Sequence, residues 1–430
     1  MKFISYIQDD FTEQCKLMIQ KSSLFDPQIE NIVRGIINEV REKRDAALIE
    51  LTEKYDGVKL EAHQIPVTKA ELMDASIRTE ESLRKALEVA DKNVAAFAKK
   101  SLRKNWQMKN SQQGIVGEKY DAIERVGVYI PGGTAPLVST AIMTVTLARV
   151  AGCKQIVVCT PCGKDGSINP SLLFAARYAG ATEIYKVGGA QAIAAMALGT
   201  ESIKPVMKIF GPGNAFVVTA KRLLFGYTAI DLLPGPSELL VIADETADAK
   251  FIAADLIAQA EHGSGYERIW MISASEKVIK QTEKEIERQV ETAARKQMIQ
   301  KVLENNCWAV RVKTMNDAIS LANQIAPEHC EIMTKAPEKV AADVKTAGAI
   351  FLGNYTPTVL GDYMAGPSHT LPTGGAGTAF SGLSVEQFQR RTSIVKYNKQ
   401  ALKKSIPVLE RIGKVEGLEA HLRSAKIRFE

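Results

Sequence analysis

The sequence predicts an α/β protein: two doubly wound parallel sheets, a small N-terminal arm and a helical C-terminal tail. Three observations predict it. Short apolar runs alternate with stretches of helical periodicity from residue 125 to 243, and again from 247 to 353. Such alternation is the pattern of βαβ units, whose crossovers build parallel sheets. Gly-rich turns follow three of the runs, at 131–134, 187–190 and 211–214. The 430 residues leave room for two or three domains with sizeable cores.

The elements follow in order. Residues 1–24 start apolar and become helical, an arm. From Asp26, apolar residues recur at helical spacing until Gly57, a C-cap. Residues 69–104 carry a second amphipathic pattern rich in Ala, Glu and Lys. The run 125–131 reads as a strand, Gly132 and Gly133 as a turn, 135–151 as a helix and 155–159 as a strand. A helix near 171–178, a strand at 183–187, Gly188 and Gly189, and a helix from Ala190 repeat the unit. Further strands are expected at 208–210 and 239–243.

The second series has helices at 247–260, 276–293, 315–325 and 337–347. Its strands fall at 268–272, 308–312, 329–333 and 349–352. Residues 353–384 are loop-like, rich in Gly, Pro, Ser and Thr. The last stretch, 385–430, reads as helical and ends in a short strand at 426–429. It carries 11 Lys/Arg against 5 Asp/Glu. A module this small cannot bury a core alone, so it packs elsewhere, a partner subunit being one option.

Composition narrows the function. Apolar residues make up 46% and charged residues 24%, which excludes wholesale disorder. A net charge of +6 over 430 residues is too mild to predict nucleic-acid binding. No run approaches the ~18 apolar residues of a membrane span. The N-terminal segment has Asp9 and Asp10 and no apolar core, so no signal peptide is expected and the cytoplasm is the expected location. Six cysteines should therefore be reduced. Cys159 and Cys162 form C-x-x-C, but no second half-site accompanies them, and they read as small core residues.

The standard G-x-G-x-x-G and Walker patterns are absent. The three Gly-rich turns could present backbone amides to a phosphate, or serve structure alone. Five histidines stand out by scarcity: His63, His262, His329, His369 and His421. Gln259 and His262 are three apart and would share a helix face, where amide oxygen and imidazole could reach one divalent cation. Capping of the last helical turn explains His262 equally. Glu328 and His329 are adjacent ahead of a strand. Asp362 and His369 lie in a Gly/Pro loop, and Glu416 and His421 in the tail. Scattered His, Asp and Gln donors suit Zn²⁺.

The segments VGVYIPGGTAPLVSTAIM, VGGAQAIAAMALGTESI, KIFGPGNAFV, LPGPSELLVIAD, AQAEHG, APEH and GDYMAGPSHTLPTGG occur in this order. Together they resemble the histidinol dehydrogenase family, from about residue 120 to the terminal EGLEAH. The resemblance implies two Rossmann-like domains and a homodimer with shared active sites. Residues 25–127 and 239–378 would form the domain bearing metal and catalytic residues. Residues 128–238 would form the NAD-binding domain, with 379–430 a tail reaching the partner. One Zn²⁺ per subunit would be held by Gln259, His262, Asp362 and His421. Proton transfer would fall on Glu328 and His329. Substrate contacts would fall on Ser237, His369 and Glu416, beside the metal set and His329. Cofactor contacts would fall on Tyr129, Gln191 and Asn214. Ser368 departs from the pattern, since many members carry Asn before the loop histidine.

The implied reaction is the four-electron oxidation of L-histidinol to L-histidine through L-histidinaldehyde, with two NAD⁺, closing histidine biosynthesis. A related dehydrogenase of another small alcohol is the alternative. A catalytically dead scaffold would lack some of these residues, and nucleic-acid binding through the basic tail lacks an aromatic stacking pattern.

Overall fold

The computed structural model describes residues 1–20, 26–132 and 136–430. Parts of the expected arm, and of the turn at 131–134 with the helix start at 135, lie outside the described residues. The chain opens with β1 (Lys2–Ser5) and α1 (Phe11–Ile19). The helical pattern that ends at Gly57 is two helices, α2 (Pro27–Lys43) and α3 (Asp45–Asp56). Asp26 caps the first, accepting the Gln28 N–H at 2.8 Å. The break falls at Arg44, φ 55°, and Asp45, the first residue of α3, accepts the Ser202 hydroxyl at 2.6 Å. Gly57 closes α3 in the left-handed conformation, φ 71°, as its position predicts. The second pattern also divides, into α4 (Lys69–Arg78) and α5 (Glu81–Ser101). A capping box between Thr68 and Glu71 starts α4.

Next come β2 (Trp106–Lys109), β3 (Ile115–Ala122), β4 (Arg125–Tyr129), α6 (Val138–Ala151), β5 (Gln155–Thr160) and α7 (Pro170–Ala179). Then follow β6 (Glu183–Lys186), α8 (Gly189–Leu198), β7 (Lys208–Phe210), α9 (Ala215–Leu224) and β8 (Ala229–Ile230). Strands β4 to β8 form a five-stranded sheet ordered β6-β5-β4-β7-β8, all parallel. Its central strand β4 is buried throughout, as a strand covered on both faces should be.

One face meets Val33, Ile36 and Val40 of α2, Leu48 of α3, and the Ala-rich α8. The other meets Leu87, Val94 and Ala98 of α5 together with α6 and α7. The sequence reading grouped 25–127 with 239–378. The helices of that stretch instead bury their apolar faces on the five-stranded sheet.

The chain then builds β9 (Glu238–Ala243), α10 (Ala249–Ala260), β10 (Arg268–Ser273), α11 (Glu276–Val290), α12 (Lys296–Asn306) and β11 (Cys307–Arg311). After these come α13 (Met315–Ile325), β12 (His329–Met333), α14 (Pro337–Ala341), β13 (Ala349–Leu352) and α15 (Thr358–Tyr363). The six-stranded sheet is ordered β1-β11-β10-β9-β12-β13, again all parallel. The N-terminal arm is thus an edge strand of this sheet, 300 residues from its pairing partner, rather than a loose extension.

The tail differs from its expected helical course. It begins with β14 (Gln389–Lys396), then α16 (Lys399–Glu416) and α17 (Glu419–Lys426). β14 pairs antiparallel with β3, which pairs with β2, giving a third, three-stranded sheet. The strand expected at 426–429 is a 3₁₀ turn, Ile427–Phe429, because it continues α17 directly and has no strand beside it. Within α16 and α17 only Ala401 and Ala425 are buried, while Val408, Ile412, Val415 and Leu418 are exposed. No helix among the described residues is long and apolar enough to cross a membrane.

Candidate active site

Two sheet edges supply the site. The order of the five-stranded sheet reverses between β4 and β7, and ligands of open α/β sheets bind at such a switch point beyond the strand carboxyl ends. A cavity of about 960 Å³ lies there, the size of a cofactor pocket. Tyr129, Gln191 and Asn214, the three residues singled out for cofactor contact, all line it. Tyr129 ends β4, and its hydroxyl accepts the Gly189 N–H at the start of α8, 3.0 Å. Burial pushes this phenol up to about 12, so it stays a neutral hydroxyl. Asn214 caps α9 by accepting the N–H groups of Phe216 and Val217, each at 3.1 Å.

Gly211, between β7 and Asn214, has φ 110°, and a Cβ there would stand 2.1 Å from the Tyr129 carbonyl oxygen. A buried ion pair holds this loop. Lys221 donates to the Gly211 carbonyl at 2.9 Å and to Asp231, whose other oxygen accepts the Gly211 N–H at 2.8 Å. Both side chains of the pair are fully buried. The sequence reading missed Lys221 and Asp231, which look like any charged pair ten residues apart.

The second edge is the amino end of the six-stranded sheet. Ala326 closes α13 with φ 49°, a strained position for a residue with a side chain, and Pro327 follows. The chain therefore enters β12 at once, with Glu328 in the bend and His329 as the first strand residue. Adjacent strand residues point to opposite faces, but Glu328 precedes the strand and escapes that rule. Both side chains turn to the peptide of Glu238. Its N–H donates to Glu328 Oε2 at 2.8 Å, and its carbonyl accepts from His329 Nδ1 at 2.9 Å.

A carbonyl only accepts, so His329 carries its proton on Nδ1 and leaves Nε2 basic. That nitrogen lies 3.7 Å from Asp362 Oδ1, too far for a hydrogen bond. Burial lowers the His329 pKa, outweighing the pull of Asp362. Burial pushes the Glu328 carboxyl well above the usual carboxylate range, against hydrogen bonds from Glu238 N–H and Ser237. Glu238, whose backbone fixes both groups, is a third residue that the sequence analysis does not single out.

α10 runs antiparallel to β9 and ends at this edge. Gln259 is buried in its last turn, and its Nε2 has no hydrogen-bond partner among the described residues. His262 lies just past the helix rather than on it, its N–H closing on the Gln259 carbonyl at 3.4 Å. It is near enough to act electrostatically on His329 and His369. His369 Nδ1 donates to the Asp362 carbonyl at 3.0 Å, and the Thr140 hydroxyl meets Nε2 at 3.3 Å. Thr140 is in the first turn of α6, at the carboxyl edge of the other sheet. His369 thus joins the two edges. Ser368 is buried and its hydroxyl accepts the Thr370 N–H at 3.3 Å.

Glu328, His329, Asp362, His369, Ser237, Gln259 and His262 therefore gather at one junction. Glu416 and His421 do not: both are exposed in the tail, with no side-chain partner among the described residues. Nor do three His, Cys, Asp or Glu side chains among the described residues group to hold a metal. The residue types suit a zinc ion nonetheless: Gln259 offers a buried amide without a hydrogen-bond partner among the described residues, His262 an imidazole and Asp362 a carboxylate. Both cysteines of the C-x-x-C are buried thiols, as the core reading expects.

A cofactor-sized pocket at the carboxyl edge of one sheet, and a buried imidazole beside a carboxyl at the amino edge of the other, are the parts of an α/β dehydrogenase. Comparison with known proteins makes the class specific. The histidinol dehydrogenase family model matches residues 19–429. Histidinol dehydrogenase of Bacillus thuringiensis subsp. konkukian is 44% identical over 414 residues, 96% of each chain. That of Bradyrhizobium diazoefficiens is 42% identical, covering 98% of this chain and 97% of its own. The crystal structure of histidinol dehydrogenase from Elizabethkingia anophelis superposes with a TM-score of 0.95 at 34% identity, over 100% of this chain and 98% of that one.

An acetylating aldehyde dehydrogenase from Geobacillus thermoglucosidasius shares the fold at 15% identity, TM-score 0.51, over 89% of this chain and 94% of its own. The chain belongs to the histidinol dehydrogenase family. It is an oxidoreductase of the last steps of histidine biosynthesis, with histidinol and NAD as substrates. These relatives give no support to another small alcohol as substrate.

Proposed function

We propose that both oxidations, histidinol to histidinaldehyde and histidinaldehyde to histidine, occur at the junction of the two sheets, in a homodimer that shares its sites. The observation that carries this reading is the double grip of Glu238 on Glu328 and His329. It holds the carboxyl 3.6 Å from the protonated His329 Nδ1 and leaves the basic Nε2 on the other side of the same ring.

In the first oxidation, His329 Nε2 takes the alcohol proton as the carbinol hydride passes to NAD⁺. In the second, Glu328 takes a proton from water adding to the aldehyde carbon. The hydrate then gives its hydride to a second NAD⁺ and leaves as the carboxylic acid. Tyr129, Gln191 and Asn214 seat the nicotinamide cofactor. Ser237, His369 and the partner's Glu416 hold the substrate. Gln259, His262 and Asp362 would hold zinc together with the partner's His421. The ion would supply a Lewis-acid anchor that orients the substrate.

Support for the dimer is the tail. It carries two of the implied site residues, leaves an apolar face exposed and reaches nothing in its own chain's site. The reading is tested by counting NADH formed per histidinol consumed. Two NADH are expected with metal present and almost none after chelation. One NADH per histidinol, or full activity in the metal-free protein, overturns it.

A further inference from the structure

Behind the site, on the face of β12 that α10 covers, lies a second pair of acids. Strand alternation puts Glu331 on the same face as His329, and its side chain is buried among the residues beneath α10. Asp255 projects from α10, one turn before Gln259, and is also buried. The two carboxyls lie in hydrogen-bonding contact. Glu331 Oε1 accepts the Thr358 N–H at 2.8 Å, and among the described residues no other N–H or O–H reaches its Oε2. Thr358 is the first residue of α15, the short helix that carries Asp362.

Three elements therefore meet at one side chain: α10 with Gln259, β12 with His329, and α15 with Asp362. We propose that Asp255 and Glu331 share one proton as a buried latch, Glu331 donating to Asp255 and accepting from Thr358, and that this latch sets the spacing of Gln259 and Asp362 for zinc. They are positioning residues, touching neither metal nor substrate.

Two carboxylates in contact cannot both ionise in a buried site, so one proton stays. Burial raises both groups. Glu331 Oε1 already accepts the Thr358 N–H, so Oε2 is the oxygen left to carry the shared proton. The neutral acid then resembles an amide, with one accepting oxygen and one donor. Partners behind a metal's ligands typically change affinity 10- to 100-fold when removed.

The inference rests on the zinc reading above, so its test includes a control for that reading. Zinc affinity of the full-length protein is measured by competition with a chromophoric chelator, alongside KM for histidinol and for NAD. Glu331→Ala should weaken zinc about 10-fold or more and raise the histidinol KM, with the NAD KM within about 2-fold. Glu331→Gln reproduces the neutral acid's hydrogen bonds and should stay within about 3-fold of wild type in zinc affinity. Thr358→Pro removes the N–H that Glu331 accepts, at a helix position that tolerates proline, and should also weaken zinc, while Thr358→Val, which loses the hydroxyl but keeps the N–H, should not. The proline variant serves if Glu331→Ala does not fold.

His262→Asn is the control and should lose zinc. Wild-type affinity in Glu331→Ala or Thr358→Pro beside a zinc-poor His262→Asn overturns the latch. Equal loss in Glu331→Gln and Glu331→Ala also overturns it, because the hydrogen bonds would then be irrelevant. Full zinc retention by His262→Asn overturns the metal reading itself.

Discussion

The electrostatics of the proposed site come down to two neighbours pushed in opposite directions. Burial lowers His329 and raises Glu328, so at neutral pH the imidazole is free to accept a proton while the carboxyl holds one longer than an ordinary glutamate. The sign of the pH dependence follows. Glu328 must lose its proton to activate water, so aldehyde oxidation should rise with pH along a limb lying above the ordinary carboxylate range. Glu328→Gln should slow histidinaldehyde oxidation by about 10²- to 10⁴-fold, the usual weight of a general base, and abolish the limb. Histidinol oxidation should suffer far less. Supplying the two substrates separately in single-turnover assays checks this, and equal losses on both would remove Glu328 from the water step.

At this scale, the sequence shows residue types and spacings but not who holds them. Glu328 and His329 are conspicuous as neighbours. The peptide that orients them, at Glu238, is 91 residues away and acts through its backbone, so no side-chain pattern announces it.

Among the elements, the buried apolar strands were legible and the exposed ones were not. β4, β5, β9 and β12 are short apolar runs between Gly or Pro, and they appear within a residue or two of expectation. β14 reads QRRTSIVK, half-exposed and charged, and it becomes a strand only by pairing with β3, over 260 residues earlier. α9, rich in β-branched and aromatic residues, carries a weak helical signal and is fixed by the Asn214 cap and its packing. Its Lys221 makes an element-scale prediction. Lys221→Met leaves Asp231 buried without its cation, which typically costs about 3–5 kcal/mol. It also frees the loop holding Gly211 and Asn214. The variant should melt well below wild type, and any folded fraction should show a raised KM for NAD. An unchanged melting temperature would mean that the pair does not hold the loop.

For the molecule as a whole, the two sheets present opposite ends to one junction. The cofactor pocket follows the rule that ligands sit beyond strand carboxyl ends. The imidazole and carboxyl lie at the amino end of the other sheet, where that rule places nothing. Connectivity alone therefore could not locate the second half of the site. Histidines and acids in Gly/Pro-rich segments gave the better signal, and His369 bonded across to Thr140 shows the two halves in contact.

The last donor is the remaining question at this scale. His421 is exposed on a tail whose apolar residues Val408, Ile412 and Val415 are exposed too, while the proposed zinc donors Gln259, His262 and Asp362 number one fewer than a four-coordinate site takes. A two-fold dimer meets both needs at once, because each chain lends its tail to the other. Mixing two inactive variants tests this directly. Co-refolded His421→Ala and His262→Ala chains should form heterodimers in which one site combines His262 and Asp362 of the first chain with His421 of the second. Half the dimers would be mixed and half of their sites intact, so activity should return to about a quarter of wild type if exchange is random and the sites act independently. Verified heterodimers that stay inactive would place His421 within its own chain's site and remove the shared-site arrangement.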